Sequence, residues 1–396
     1  MFAEIKNAVP HLFRIARRMA RRAARPSLVC SSLVVAMFTL FIAPASAQTV
    51  PEPPMLCAEA NGNCDTSSPP VGTAGGKRWN PGHYLKTQGN HAQSNVEDYL
   101  SSIDNQLAKV NDSPEIRGAQ VSYAWGTVEP TTGTYNWEPI YRHLDYLSAR
   151  GKKMILSVHT KCFSTDCAGL APSDLASEVH LTPNGRTQTT KLWEEKNMDL
   201  YIAMLQALAV EFDENPALEM VLGAESTPSL QGSSPPGYSN DIYATQLKRL
   251  YTAQAEAFTN ANVIANINFL SGQVSGLLEH AYHAGVGRGM PDIFDSDGSL
   301  LFRGDCEDKE CAVRDYRESI PHFGVASHQS LMGKFGTETD TPAETITYGL
   351  ENKVTHYSWV SAEPAEDAWD EIVGAIEAAN PDAHLACPTQ YTQGCQ

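Results

Sequence analysis

Glu225 closes the run Met220-Val221-Leu222-Gly223-Ala224-Glu225, in which uncharged residues lead to a single carboxyl. Alternate residues of a strand share a face, so Val221, Gly223 and Glu225 belong together. The small neighbours Gly223 and Ala224 leave room beside the acid. A carboxyl at such a dry strand end can stay protonated and act as a general acid. The competing reading is a cap for the following loop. Acid–base chemistry of this kind uses carboxyls in pairs, and Asp297, Glu338 and Asp295 are the candidates for the second.

A second group of residues could hold a ligand. Asn266 and Asn268 interrupt an apolar strand on the same face as Ile264, and a buried amide needs partners or a ligand. His83, Tyr84, Tyr123, Trp125, Glu129, His159, His328, Tyr357 and Trp359 all stand at or near the ends of apolar runs. Aromatic faces stack on sugar rings, while amides and carboxylates bind hydroxyls, so this mixture suits a carbohydrate pocket, with Trp125 and Trp359 as its platforms. Asp295-Ser296-Asp297-Gly298 has the start of a calcium loop, but Cys306 stands where its last ligand, a Glu, belongs. Glu279-His280 with His283 lacks the His-Glu-x-x-His order and reads as a surface stripe. No metal and no cofactor are expected.

These groups need a scaffold that gathers strand ends. Apolar strands are expected at Arg78–Leu85, Ile116–Trp125, Lys153–His159, Leu218–Glu225, Val263–Phe269, Met290–Phe294, Phe323–Ser327 and Thr355–Val360. Amphipathic helices alternate with them at Asn95–Val110, Pro139–Arg150, Leu192–Phe212, Asp241–Phe258, Gln273–Ala284, Val313–Ser319, Thr341–Asn352 and Ala368–Ala379. Asp340-Thr341-Pro342 supplies a cap and a first-turn proline. Strand–helix alternation over residues 77–380 predicts an α/β fold, a (β/α)8 TIM barrel forming one domain. A doubly wound sheet is the alternative, but Pro81-Gly82-His83-Tyr84 is not the glycine-rich turn of a dinucleotide site. Barrel active sites lie at the C-terminal strand ends, where the residues above fall.

Residues 1–47 read as a signal peptide. Arg14, Arg17, Arg18, Arg21, Arg22 and Arg25 form a basic region, Leu28 to Ala43 is uncharged and apolar, and Ala45-Ser46-Ala47 is a cleavage signal. Cleavage after Ala47 predicts a secreted or periplasmic protein with no membrane association thereafter. Residues 48–76 form a Pro/Gly/Ser-rich extension and residues 381–396 a disulfide-closed tail. Cys30 leaves with the signal, and the rest fall into the local pairs Cys57/Cys64, Cys162/Cys167, Cys306/Cys311 and Cys387/Cys395, expected as disulfides in an oxidising compartment. The chain carries a net charge of −17. Losing seven basic residues and Glu4 with the signal makes it −23. Such a surface argues against nucleic acid and favours neutral sugars over polyanionic ones. The expected state is a monomer.

Tyr123-Ala124-Trp125-Gly126-Thr127-Val128-Glu129-Pro130, Gly133-Thr134-Tyr135-Asn136-Trp137 and Arg150-Gly151-Lys152-Lys153-Met154-Ile155-Leu156 together resemble the second-strand signature of barrel glycoside hydrolases. The resemblance implies hydrolysis of O-glycosidic bonds in a poly- or oligosaccharide. In the large retaining clan an acid/base Glu follows the fourth strand and a nucleophile Glu the seventh. Glu225 matches the first by position, with Ala224 in place of the usual Asn. The seventh strand runs into Ser327-His328-Gln329-Ser330, with Glu338 farther along. Two other functions fit the same barrel. A polysaccharide lyase would use His159, His328 or Tyr357 as base and Lys161 to neutralise a uronate. A non-catalytic carbohydrate-binding barrel would need neither.

Overall fold

Strands that alternate in side-chain direction can pack one face inside a barrel and the other against helices. The computed structural model describes residues 77–87, 96–163, 167, 169–232, 234–268, 270–290, 293, 322–326, 341–351, 354–361 and 367–380. In chain order these contain β1 (Gly82–Lys86), α1 (Val96–Leu107), β2 (Ile116–Ala124), the single-turn α2 (Trp125–Val128), α3 (Glu138–Ser148), β3 (Lys153–His159), β4 (Lys161–Cys162), β5 (Val179–Leu181), β6 (Gln188–Thr190), α4 (Glu195–Phe212), β7 (Leu218–Leu222), α5 (Asn240–Ala257), β8 (Asn262–Asn266), α6 (Val274–His283), β9 (Gly287–Met290), β10 (His322–Ala326), α7 (Pro342–Glu351), β11 (His356–Val360) and α8 (Ala368–Ala378).

The strands β1, β2, β3, β7, β8, β9, β10 and β11 pair in that order, all parallel, and β11 returns to β1 to close the barrel. Inside it, Tyr84, Ile155, Met220, Leu222, Ile264 and Val360 form one apolar cluster. Residues of the other parity, among them Val121, Tyr123, Leu156, Val158, Val221, Val263, Tyr357 and Trp359, join the larger core between strands and helices. Local signals start the helices. Ser239 Oγ accepts Ile242 N–H at 3.1 Å ahead of α5. At α7, Thr341 Oγ1 accepts Glu344 N–H at 3.3 Å and Glu344 Oε2 accepts Thr341 N–H at 2.7 Å, a reciprocal capping box.

The expected strands recur with shifts at their ends. The fourth stops pairing at Leu222, and Gly223 to Glu225 run past the ladder. The fifth ends at Asn266, short of Phe269. The sixth is displaced upstream, from Met290–Phe294 to Gly287–Met290. Glycines at 287 and 289 read as a loop in sequence, but pairing of Gly287, Arg288 and Gly289 with Ile264, Ala265 and Asn266 makes them a strand. A three-stranded antiparallel sheet, β4–β6–β5, was not foreseen; its strands are too short for a periodic pattern. Cys162 and Cys167 are bonded beside it, as expected of that pair. The signal segment, residues 48–76, the helix expected at Val313–Ser319, the tail 381–396 and the other cysteine pairs lie outside the described residues. No helix among the described residues is long and apolar enough to cross a membrane.

Candidate active site

The barrel opens at the C-terminal ends of β1, β2, β3, β7 and β8 into a cavity of about 350 Å³, a size typical of ligand pockets. Inward parity brings Lys86, Gln120, Ser122, Ser157, His159 and Asn266 to its wall, and Lys161, Phe163, Thr189, Glu225 and Tyr243 complete its rim.

Glu225 sits where β7 has released the chain from the ladder. Its backbone is steered by neighbours: Gly223 N–H donates to Ile264 O at 3.2 Å, Ser226 N–H to Asn266 O at 2.9 Å, and Tyr243 Oη–H to Glu225 O at 2.9 Å. Burial raises the Tyr243 pKa well above that of a free phenol, which keeps it a donor. The Glu225 carboxylate is held from two sides. Lys161 Nζ donates to it, and also to Thr227 O at 3.0 Å and Ser229 Oγ at 3.2 Å. Asn268 Nδ2 donates to its other oxygen. Asn268 is itself fixed, since its Oδ1 accepts Thr227 N–H at 3.0 Å and Ser226 Oγ–H at 3.2 Å. The dry apolar setting expected for Glu225 is therefore corrected: its partners are an ammonium and an amide. The room expected beside Gly223 is also taken, because a Cβ there would stand 2.7 Å from Gln254 Oε1.

The polar residues divide between cavity and scaffold. His159 and Asn266 line the cavity with Glu225. Asn266 Oδ1 is buried with no hydrogen-bond partner, the condition of a group waiting for a ligand hydroxyl. Asn268 is 6% exposed and acts behind Glu225 rather than on the cavity surface.

The aromatics expected as platforms point elsewhere. Trp125 is fully buried, with its ring edge-on to Tyr201 at 5.2 Å and its Nε1–H on Glu129 Oε2 at 2.6 Å. Trp359 is equally buried and donates to His83 Nδ1 at 3.0 Å. Tyr357 donates to Ile346 O of α7 at 3.1 Å, and Tyr123 Oη lies 2.6 Å from His143 Nδ1 of α3. All of these lie on the outward face of their strands or the turn after them, so they pack under the helices. Tyr84 does point inward, but its hydroxyl turns toward the barrel floor and donates to Asn80 O at 2.6 Å. Glu129 is 2% exposed and braces a turn, accepting Gly133 N–H at 2.6 Å where Gly133 adopts φ +77°. Burial raises its pKa against those hydrogen bonds. Asp295, Asp297, His328 and Glu338 lie outside the described residues.

Sequence reading missed Gln120, Ser122 and Ser157 in the cavity wall, and it took Lys161 only as a lyase cation. Gln120 and Ser122 carried the signal used for Asn266, polar residues of one parity inside an apolar strand. Phe163 carried none, because its position depends on the unforeseen small sheet. Among the described residues no group of three or more His, Cys, Asp and Glu could hold a metal ion.

No protein-family model and no curated protein sequence matches the chain. Solved structures do. The catalytic domain of a β-amylase from Paenibacillus polymyxa superposes with a TM-score of 0.51 at 9% identity, over 78% of this chain and 100% of that one. A β-galactosidase from the psychrophilic Marinomonas ef1 gives 0.48 at 12%, over 78% and 62%. Endo-glycoceramidase II from Rhodococcus sp. gives 0.47 at 13%, over 76% and 80%. These neighbours are glycosidases, and at such identities the likeness, carried by the β-amylase domain, is one of fold. The chain has a TIM-barrel fold, like that β-amylase domain.

Proposed function

We propose that the protein is a glycoside hydrolase, exported through its signal peptide, that binds a poly- or oligosaccharide in the cavity and uses Glu225 as its acid/base. The observation that carries this reading is the placement of Glu225. It stands past the end of β7, the fourth barrel strand, faces the cavity and is oriented by Lys161 and Asn268. A group that must meet a glycosidic oxygen needs such fixed orientation more than it needs strength. Asn266 Oδ1 would accept a sugar hydroxyl beside it, and His159 and Ser157 line the same wall.

In the proposed reaction Glu225 takes a proton from solvent before turnover and delivers it to the leaving glycosidic oxygen as the bond from that oxygen to the anomeric carbon breaks. Water supplies the hydroxyl that ends on the anomeric carbon, and its other proton goes to the second carboxylate in inversion or back to Glu225 in retention. The second carboxyl comes from Asp297, Glu338 or Asp295. A separation of about 5–5.5 Å from Glu225 gives retention, and about 6.5–9.5 Å gives inversion.

The test is a reducing-end assay of the exported protein on neutral and acidic glycans, with Glu225→Gln alongside. The variant should lose about 10²- to 10⁴-fold on natural glycans, and less on substrates with good leaving groups that need little protonation. Equal turnover by Glu225→Gln would remove Glu225 from the mechanism. Unsaturated uronates among the products would instead establish a lyase, for which His159 is a base in the cavity. Binding without turnover across all glycans would establish a non-catalytic barrel.

A further inference from the structure

Enclosure of Trp125 and Trp359 leaves the cavity without its expected stacking surface, yet one exposed aromatic ring lines it. Phe163 lines the cavity rim and is 65% exposed, while the preceding residue, Cys162, is fully buried. Exposure of a single apolar side chain says little by itself; its surroundings say more.

Phe163 is anchored on both sides. Before it, Lys161 and Cys162 pair with Thr189 and Gln188 in the small sheet. After it, Cys167 is bonded back to Cys162, the residue before the ring. Lys161 Nζ stands 5.1 Å from the ring centroid, and the same ammonium holds the Glu225 carboxylate. The ammonium thus contacts both the ring and the carboxylate, and all three groups line the cavity. A sugar ring has polar hydroxyl edges and an apolar C–H face, and Phe163 and Glu225 offer a partner to each. The other tyrosine or phenylalanine of the rim, Tyr243, is fully engaged in the core and with Glu225 O.

We propose that Phe163 is the outer sugar platform of the site, stacking on the apolar face of the ring next to the one whose bond meets Glu225. The ligand class is a saccharide longer than the bond being cleaved requires. The proposal rests on the glycosidase reading and adds to it a subsite outside the inner cavity.

The test compares wild type, Phe163→Ala and Phe163→Tyr on cellopentaose and maltopentaose, reading KM and kcat separately and thermal melting for each variant. Phe163→Ala should raise KM about 2- to 12-fold, the worth of one aromatic contact, with kcat and melting unchanged. Phe163→Tyr keeps the face and should keep the wild-type KM. An unchanged KM in Phe163→Ala, with wild type turning over the pentasaccharide, overturns the platform and leaves the glycosidase reading standing. A fall in kcat alone, or a KM in Phe163→Tyr raised as far as in Phe163→Ala, also overturns it. Failure of wild type and both variants to bind or cleave either pentasaccharide counts against the glycosidase reading and takes the platform with it.

Discussion

The contact between Lys161 and Glu225 can be weighed by a double-mutant cycle. Lys161 is 9% exposed and Glu225 24% exposed. Lys161→Met keeps the apolar stem and removes the ammonium, so Glu225, Thr227 O and Ser229 Oγ each lose a donor. Breaking a fully buried pair costs about 3–5 kcal/mol. A quarter of Glu225 reaches solvent, so the lower end applies, about 3 kcal/mol. Glu225→Gln retains one acceptor, for the ammonium, but turns its N–H2 toward the Asn268 Nδ2 donor and loses that contact, and should cost about 1–3 kcal/mol, the worth of a hydrogen bond to a charged group together with a donor left unpaired. In the double variant neither charge is left stranded. Its destabilisation should fall short of the sum of the singles by about 1–2 kcal/mol. Urea unfolding at pH 7 measures all three, and turnover is read on the same samples. Lys161→Met should lose activity too, because the carboxyl keeps only one of its two anchors, but it should lose less than Glu225→Gln. Additive stabilities, within about 0.5 kcal/mol, would refute the claim that the ammonium holds the carboxylate in place.

Two further tests concern the scaffold. Trp125→Ala and Trp359→Ala should each destabilise by about 3–5 kcal/mol, because both rings are fully enclosed; full stability with weakened glycan binding would return them to the cleft. His143 is buried between Tyr123 and Asp104, and burial pushes its pKa down to about 4. The unfolded imidazole takes a proton near 6.5 and the folded one only near 4. Stability should therefore fall as pH drops through that window, by up to about 3 kcal/mol at about 1.4 kcal/mol per pH unit. His143→Gln should flatten the loss between pH 6.5 and 4.5 in urea unfolding, and an undiminished slope in that variant would show that other groups cause it.

Much of the scaffold was legible from residue order. Lys153–His159 was expected at its observed limits, and Ile116, Leu218 and Val360 stand where strands were expected to begin or end. Runs of buried strand residues, caps such as Ser239 and Thr341, and amphipathic helices are local features, and local chemistry selects them. The placement of Glu225 past the fourth barrel strand was legible for the same reason: its apolar run ends there.

Which way a residue faces was less legible. In a parallel barrel both faces of a strand are buried, so apolar runs carry no alternation to separate inside from outside. His83, Tyr123, Tyr357 and Trp359 therefore looked like cavity residues by type, and only the register of β1, β2 and β11 turned them toward the helices. Polar residues inside such runs are the exception. Asn266 had to face a partner or a cavity, because an amide under a helix would cost its hydrogen bonds, and the same logic applies to Gln120 and Ser122. Lys161 and Glu225 are separated by the whole connection from β4 to β7, and Asn268 reaches the same carboxyl from beyond β8. Sequence alone determined that a carboxyl would stand at this strand end. Tertiary structure decided its partners, because contacts between separate strand ends exist only after the barrel closes.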